Sequence, residues 1–378
     1  MRILTVAESL DGIGGLERAQ LQACRELRDR GHEIDLLYVR GGDLSEAWDG
    51  IAARQVRVDG YSLHRRAPFR TARSVYRVAS VVRRLAPDVL YLHHHRHAFG
   101  AALTRRPMVC HMHLPPPPAG SHQERFGLRG ASGFISVSRY TRDQWTEHLG
   151  LRPDSFTVVH NGVDAARFSP LSAEQRRSVK AAHGLPIDPF LVLYASRIDA
   201  GKGIDCALDA MRLLPGGEYH LAIAGAPNPA DFGGDGAAGA AYERGLRSSY
   251  ADVGATWLGR VGEMPPLLAA ADVVVLPSRF PDPLPLLVLE TLASGTPILA
   301  SAVGGIPEML TGPLEGQLVP RGDAAALAER IRRLYNWRSA QPELATLGRE
   351  HVERNYSLTR MGGQVDEALR RVMDGLRR

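Results

Sequence analysis

Lysine is nearly absent: of 46 basic residues only Lys180 and Lys202 are lysines, the rest being arginines. Such an arginine-heavy composition accords with a genome rich in G and C. The net charge of +5 then excludes little; it leaves room for anionic substrates or lipid surfaces, and nucleic acid is not an expected partner. Cysteine is scarce too. Cys24, Cys110 and Cys206 are odd in number and far apart, which sets aside a disulfide frame and implies reduced thiols in a cytoplasmic protein. No run approaches the ~18 apolar residues of a membrane span, and no apolar segment of signal-peptide length precedes the first strand at residues 3–6. No G-x-G-x-x-G follows that strand with an acid ~20 residues on, which argues against a nicotinamide oxidoreductase.

What is present is globular. With 44% hydrophobic and 23% charged residues, disorder is not the default, and 378 residues favour two domains. Strand and helix patterns alternate: strands at 3–6, 34–39, 89–92, 108–112, 134–138 and 158–159, with a helix over 16–30. After a polar stretch at 164–189 with a short helix at 173–182, the alternation restarts with strands at 190–194, 219–224, 256–258, 273–276 and 318–319. Residues 233–241, rich in Gly and Ala, read as a mobile loop, and 324–378 as helical with a break near 355–357. This predicts an α/β protein of two successive doubly wound parallel-sheet domains with a cleft between them.

Several stretches could carry chemistry. Gly14 and Gly15 form a glycine turn that opens a helix and would let backbone approach an anion. The helix over 68–85 is decorated by Arg65, Arg66, Arg70, Arg73, Arg77, Arg83 and Arg84; it is either an amphipathic helix packed on a sheet or a surface for anionic lipid. Histidines 93–95, His97 and His113 follow two strands, the last just before Pro115–Pro118. Neighbours on a strand point to opposite faces and zinc spacing is missing, so no metal is expected. These histidines would instead line the cleft.

The stretch 273–297 reads as strand, proline-broken turn and helix, with Pro285 at the first helical position and Gly295 and Pro297 as its stop. A helix N-terminus at the carboxyl end of a sheet suits an anionic ligand. Asp282 and Glu290, about 12 Å apart along a helix, are too far separated for the paired carboxylates of a glycoside hydrolase. They read as two clamps on one long ligand.

In this order, Gly14-Gly15, His113, Asn161-Gly-Val-Asp164, Arg197 with Lys202, and Asp282 with Glu290 make the chain resemble the GT-B-fold glycosyltransferases of family 4. That family's members are retaining enzymes that move a sugar from a nucleotide diphosphate. The resemblance implies two Rossmann-like domains facing an interdomain cleft. Residues 1–165 would form the acceptor side, 166–188 a linker, 189–350 the nucleotide-sugar domain, and 351–378 a helix crossing back to the first domain. It implies Arg197 and Lys202 on the diphosphate, Glu290 on the ribose, and Asp282, first acid of the family's E-x7-E pattern, on the donor sugar. His113 would lie beside the reacting carbon, and Gly14 and Gly15 near the diphosphate or acceptor. Arg260 and Val261 would border the base.

The sequence departs from the family at Asp282-Pro-Leu-Pro285, where Glu and Gly-Phe-Gly are usual. Only Leu284, Leu286 and Leu287 can then offer N–H groups. The expected partners are a nucleotide-sugar donor, UDP-linked rather than GDP-linked, a small-molecule or lipid-linked acceptor, and peripheral membrane contact through 68–85. No cofactor or metal is expected. A nucleotide-sugar epimerase of similar two-domain shape is the alternative enzyme.

Overall fold

The computed structural model describes residues 1–12, 14–60, 68–117 and 122–377, without the side chains of 68–75, 122–123 and 230. Ile13, Arg65, Arg66 and Pro118 lie outside the described residues, as do the side chains of Arg70 and Arg73. The chain divides into two compact units, Met1–Gly162 with Leu358–Arg378, and Val163–Ser357.

The first unit holds β1 (Arg2–Ser9), β2 (Glu33–Arg40), β3 (Ala52–Arg57), β4 (Val89–Leu92), β5 (Met108–Met112), β6 (Gly133–Ser136) and β7 (Phe156–Val158). They form one parallel sheet in the order β3-β2-β1-β4-β5-β6-β7. Strands covered on both faces need continuous apolar runs rather than alternation, and Val89–Leu92 is buried throughout. One face packs against the helix Gly15–Asp29 and the last helix, Leu358–Arg377, through Leu27, Met361 and Val365; the other packs against Pro68–Leu85 through Val78, Val81 and Val82. Within that helix Arg77 is paired with Asp59 at 2.6 Å.

The second unit holds β8 (Phe190–Ala195), β9 (Tyr219–Ala224), β10 (Thr256–Gly259), β11 (Val273–Leu276), β12 (Ile298–Ser301) and β13 (Leu318–Val319). This sheet is also parallel, in the order β10-β9-β8-β11-β12-β13. Strand order reverses between β1 and β4 in one unit and between β8 and β11 in the other. In open α/β sheets, ligands bind outside the carboxyl ends of the strands at such a reversal.

Four expectations differ from the structure. Residues 166–188 belong to the second unit: the helix Ala173–Ala182 starts at a Ser172–Gln175 capping box, and Lys180 ties it to Asp272. At the other end, residues 351–357 stay with the second unit and only Leu358–Arg377 joins the first. The Gly- and Ala-rich stretch is a helix, Gly236–Ser249, because Asp235 accepts from Ala237 N (2.8 Å) and Ala238 N (3.2 Å) and alanine has the highest helix propensity. Pro285 is the N-cap with ψ 124°, so the helix starts one residue later, Leu286–Ala293. Strand β3 has no counterpart in the sequence expectations because its burial pattern is neither alternating nor continuous.

Asp272, just before β11, gathers the second unit. Its carboxylate accepts from Lys180 Nζ (3.1 Å), Leu191 N (2.8 Å) and Arg338 Nε (3.2 Å), and its carbonyl accepts from Trp337 Nε1 (2.8 Å). Removing one member of a mostly buried ion cluster strands the others. Asp272→Ala is therefore expected to lower stability by about 3 kcal/mol, read as a lower urea midpoint. An unchanged midpoint would show that the cluster adds nothing to stability.

Candidate active site

In the second unit, the loop after β8 and the loop after β11 meet at the strand reversal. Asp199 shapes the first: its carboxylate accepts from Gly201 N (2.8 Å) and Lys202 N (3.0 Å), an Asx turn that sets the Lys202 backbone. Gly203 follows at φ +69°, and a Cβ there would collide with the Pro277 carbonyl. The Gly201 carbonyl in turn accepts from Arg279 N (2.8 Å) and Phe280 N (3.1 Å), stapling the loops together.

Across this staple Lys202 Nζ donates to both carboxylate oxygens of Asp282, at 2.9 and 2.7 Å, and Ser278 Oγ donates to the second at 3.0 Å. Both charged side chains are largely buried, 18% and 15% exposed. The Asp282 carbonyl accepts from Gly305 N at 2.8 Å. Gly304, at φ +59°, lies so close that a Cβ would strike the same carbonyl. The structure thus joins Lys202 to Asp282 directly, where the sequence suggested separate places on the ligand.

Beyond Asp282 the side chains of Leu284 and Leu286 turn into the core while Leu287 is half-buried. Leu286 and Leu287 occupy the first two helical positions, whose N–H groups have no partner in their own helix. Glu290 lies on the same helix, half-buried. Arg260 and Val261 follow β10, the edge strand of the sheet, with Arg260 exposed.

Arg197 is also engaged by a carboxylate. Tyr194 Oη donates to its carbonyl at 2.9 Å, and its guanidinium bonds both oxygens of Asp231. Asp199 lies 4.0 Å from it, and burial is the main cause that raises the Asp199 pKa. Both expected diphosphate cations are thereby neutralised by acids of the chain itself, Asp231 and Asp282.

The first unit carries Gly14, Gly15 and His113. Gly14 caps the helix Gly15–Asp29, and the Glu17 carboxylate folds over it. Burial raises the Glu17 pKa, and Asp11 adds to the rise. The glycine turn is thus covered by an acid of its own helix.

The histidines are set by register. Tyr91 pairs with Val109 across β4 and β5, so with a period of two Tyr91, His93, His111 and His113 share a face. Tyr91 Oη and His111 Nδ1 are 2.7 Å apart, and His93 Nδ1 and His113 Nε2 are 2.9 Å apart. All are buried. Burial pushes His113 down to about 3 and His93 and His111 well below the ordinary range, so the three are neutral at pH 7. His95, pushed down to about 4 by burial, faces Glu124 at 3.7 Å, and His97 faces Glu8 at 3.8 Å.

Among the described residues one group, His93, His111 and His113, brings three ligand atoms within 4.8 Å of one another. A metal would need three in-plane lone pairs converging ~2.0–2.1 Å from one point. The rings instead lie at interplanar angles of only 26° to 38°, and among the described residues no carboxylate or thiolate joins the group. The arrangement suits hydrogen bonding better than a buried dication.

Residues 13–167 match a family model described as Glycosyltransferase Family 4, and residues 189–336 match one described as Glycosyl transferases group 1. The chain belongs to glycosyltransferase family 4. D-inositol 3-phosphate glycosyltransferase of Mycolicibacterium vanbaalenii is 32% identical over 248 residues, 63% of this chain and 52% of that protein. The Mycobacterium bovis protein of the same name is 34% identical over 194 residues, 49% of this chain and 37% of that protein. The matched stretches thus span about half, or less, of these curated relatives. In solved structures, Anabaena Alr3699/HepE in complex with UDP and glucose superposes with TM-score 0.82 at 21% identity, covering 98% of this chain and 99% of that one. A glycosyltransferase from Rickettsia africae gives 0.82 at 19% identity, with 98% of each chain covered. At these identities the likeness is one of fold, and the fold is GT-B.

Sequence reasoning overlooked Asp231, Asp199, Ser278, Gly304, Glu17 and His93's bond to His113. Asp199 had a signal, since Asp-x-Gly is turn chemistry; Asp231, 34 residues from Arg197, had none. The buried histidines carry a pH consequence. The unfolded chain takes up their protons near pH 6.5 while folded His113 stays neutral down to about 3, so their stabilisation is whole above pH 6.5 and falls below it. Between pH 7 and 5 the stability slope should drop by up to ~1.4 kcal/mol per pH unit when one is removed, as in His113→Asn, read by urea unfolding at several pH values. An unaltered slope would contradict a neutral, buried His113.

Proposed function

We propose that the protein transfers a hexosyl group from a UDP-sugar, rather than a GDP-sugar, to a hydroxyl of a small-molecule or lipid-linked acceptor, with retention. The observation that carries this is the pairing of Lys202 with Asp282 at the carboxyl ends of β8 and β11, beside Arg197 and the start of the helix Leu286–Ala293. That is where an open α/β sheet binds a nucleotide. Further support for the donor comes from the Anabaena fold relative, solved with UDP-glucose. For the acceptor it comes from relatives named for D-inositol 3-phosphate and from a fold relative involved in lipopolysaccharide biosynthesis.

As the anomeric carbon–oxygen bond breaks, charge gathers on the leaving diphosphate. Cations fixed against that charge stabilise the transition state more than the ground state. Lys202 and Arg197 take this role by exchanging Asp282 and Asp231 for phosphate oxygens, and the N–H groups of Leu286 and Leu287 add the positive end of the helix. Asp282, released, accepts from sugar hydroxyls, and Glu290 accepts from the ribose. Leu284 supplies backbone to the sugar side, while Arg260 and Val261 border the base.

The acceptor hydroxyl attacks the face the diphosphate leaves, and its proton passes to a diphosphate oxygen. His113 donates a hydrogen bond to the reacting sugar. Gly14 and Gly15 approach the ligand once Glu17 moves aside. Charge is neutralised without a metal or other cofactor. Three unpaired buried thiols, Cys24, Cys110 and Cys206, support a cytoplasmic site, with peripheral membrane contact through the helix over 68–85 part of the same reading. No helix among the described residues is long and apolar enough to cross a membrane.

A panel of nucleotide sugars read by nucleotide release, with product stereochemistry by NMR, tests the reading. A retained anomer from a UDP-sugar is expected; no turnover of any nucleotide sugar, or an inverted product, would overturn it. Arg197→Ala and Lys202→Ala should each lower kcat by roughly 10²- to 10³-fold. Asp231→Asn should lower the donor KM, because it frees Arg197 from a competing carboxylate; a raised KM would place Asp231 on the donor instead.

A further inference from the structure

Two side-chain rungs link β4 and β5 and the residues just beyond them: Tyr91 to His111 and, two residues on, His93 to His113, each spanning 20 residues of sequence. The upper rung is an imidazole–imidazole hydrogen bond at 2.9 Å. Both rings are neutral, so one nitrogen donates and the other accepts. His93 Nε2 is buried and has no partner, and this decides the direction. If Nε2 carried the proton, a buried N–H would be orphaned, which folded proteins rarely tolerate; an unfilled acceptor is less costly. His93 therefore keeps its proton on Nδ1 and donates it to His113 Nε2. That leaves the His113 proton on Nδ1, a nitrogen absent from the buried, unpartnered atoms, on a residue that is 7% exposed.

We propose that His93 is a positioning residue that locks His113 in the Nδ1–H tautomer, so that His113 presents a fixed hydrogen-bond donor to the sugar. This rests on the assignment of His113 to the transfer reaction. His93 touches no ligand in this account; it acts through His113 alone. The fixed polarity matters because a freely exchanging imidazole would offer the sugar oxygen a lone pair for part of the time.

The bond uses Nδ1 of His93, whose place an asparagine amide nitrogen can take and a leucine cannot. Nitrogen-15 spectra of histidine-labelled full-length protein report the tautomer directly, without any activity. The expected result is His113 as Nδ1–H in the wild type and in His93→Asn, and a mixture of tautomers in His93→Leu. With a donor that turns over, His93→Leu should lower kcat about 10- to 100-fold, taking as a guide the cost of losing a partner that orients a metal-bound imidazole. The donor KM should stay unchanged, and His93→Asn should restore most of the rate. A wild-type His113 in the Nε2–H form would overturn the inference, as would a leucine variant with unchanged tautomer and rate. Stoichiometric Co²⁺ binding with imidazole-ligand absorption would overturn it too, since a metal on His113 Nε2 would break the rung. If no nucleotide sugar turns over, the function reading fails while the spectra still decide the tautomer.

Discussion

The ion pair between Lys202 and Asp282 is the interaction on which the second unit's site depends. It spans the reversal in strand order, binding the loop after β8 to the loop after β11. Each partner is set by its own backbone: the Asx turn of Asp199 fixes Lys202, and the Gly304–Gly305 turn grips the Asp282 carbonyl. With both charges mostly desolvated, the pair is held by geometry rather than by net attraction. A ligand anion that replaces the carboxylate meets a cation already in place, with little reorganisation left to perform.

The same logic extends to Arg197. Its guanidinium lies on Asp231, from the short turn before the helix Gly236–Ser249. Two cations each neutralised by an acid of the chain avoid the cost of unpaired positive charges held near one another. Arg197 is thereby kept from standing unpaired in a partly buried place. On the first unit Glu17 over Gly14 is similar in form but opposite in sign, an acid covering a helix N-terminus.

Much of the architecture was legible because parallel sheets leave a plain record. Runs such as Val89–Leu92 and Val273–Leu276 are apolar throughout and end in turn residues, so strand positions and two βαβ series could be read directly. Edges were harder. β3 is only partly buried, and the helix Gly236–Ser249 hides behind glycines whose effect Asp235 offsets by capping. Among the candidate site residues, the ordered motifs singled out Lys202, Arg197 and Asp282 but left no mark of their partners within the chain. The family resemblance implied Lys202 and Asp282 on the same ligand; only the fold shows that they bond to each other. His93 shows the limit most clearly, since its role follows from strand register and from one orphaned nitrogen, neither of which leaves a mark in a run of histidines.

The scarcity of lysine takes on a different meaning in the structure. Both lysines bond to aspartates that flank β11, Lys180 to Asp272 just before the strand and Lys202 to Asp282 after it. In each case the ammonium is a compact charge in a largely buried place, where the broad arginine fork would need room for five donors. Rarity alone therefore does not mark a catalytic residue, because Lys180 has the same rarity and a structural task. Position separates them. Asp272 lies at the amino end of a parallel strand, where it binds the strand to the helices that cover it, and Asp282 lies beyond the carboxyl end, where parallel sheets present their ligands. One strand thus carries an ion pair at its base that ties it to its covering helices and another beyond its tip, at the end where the proposed ligand exchange would take place.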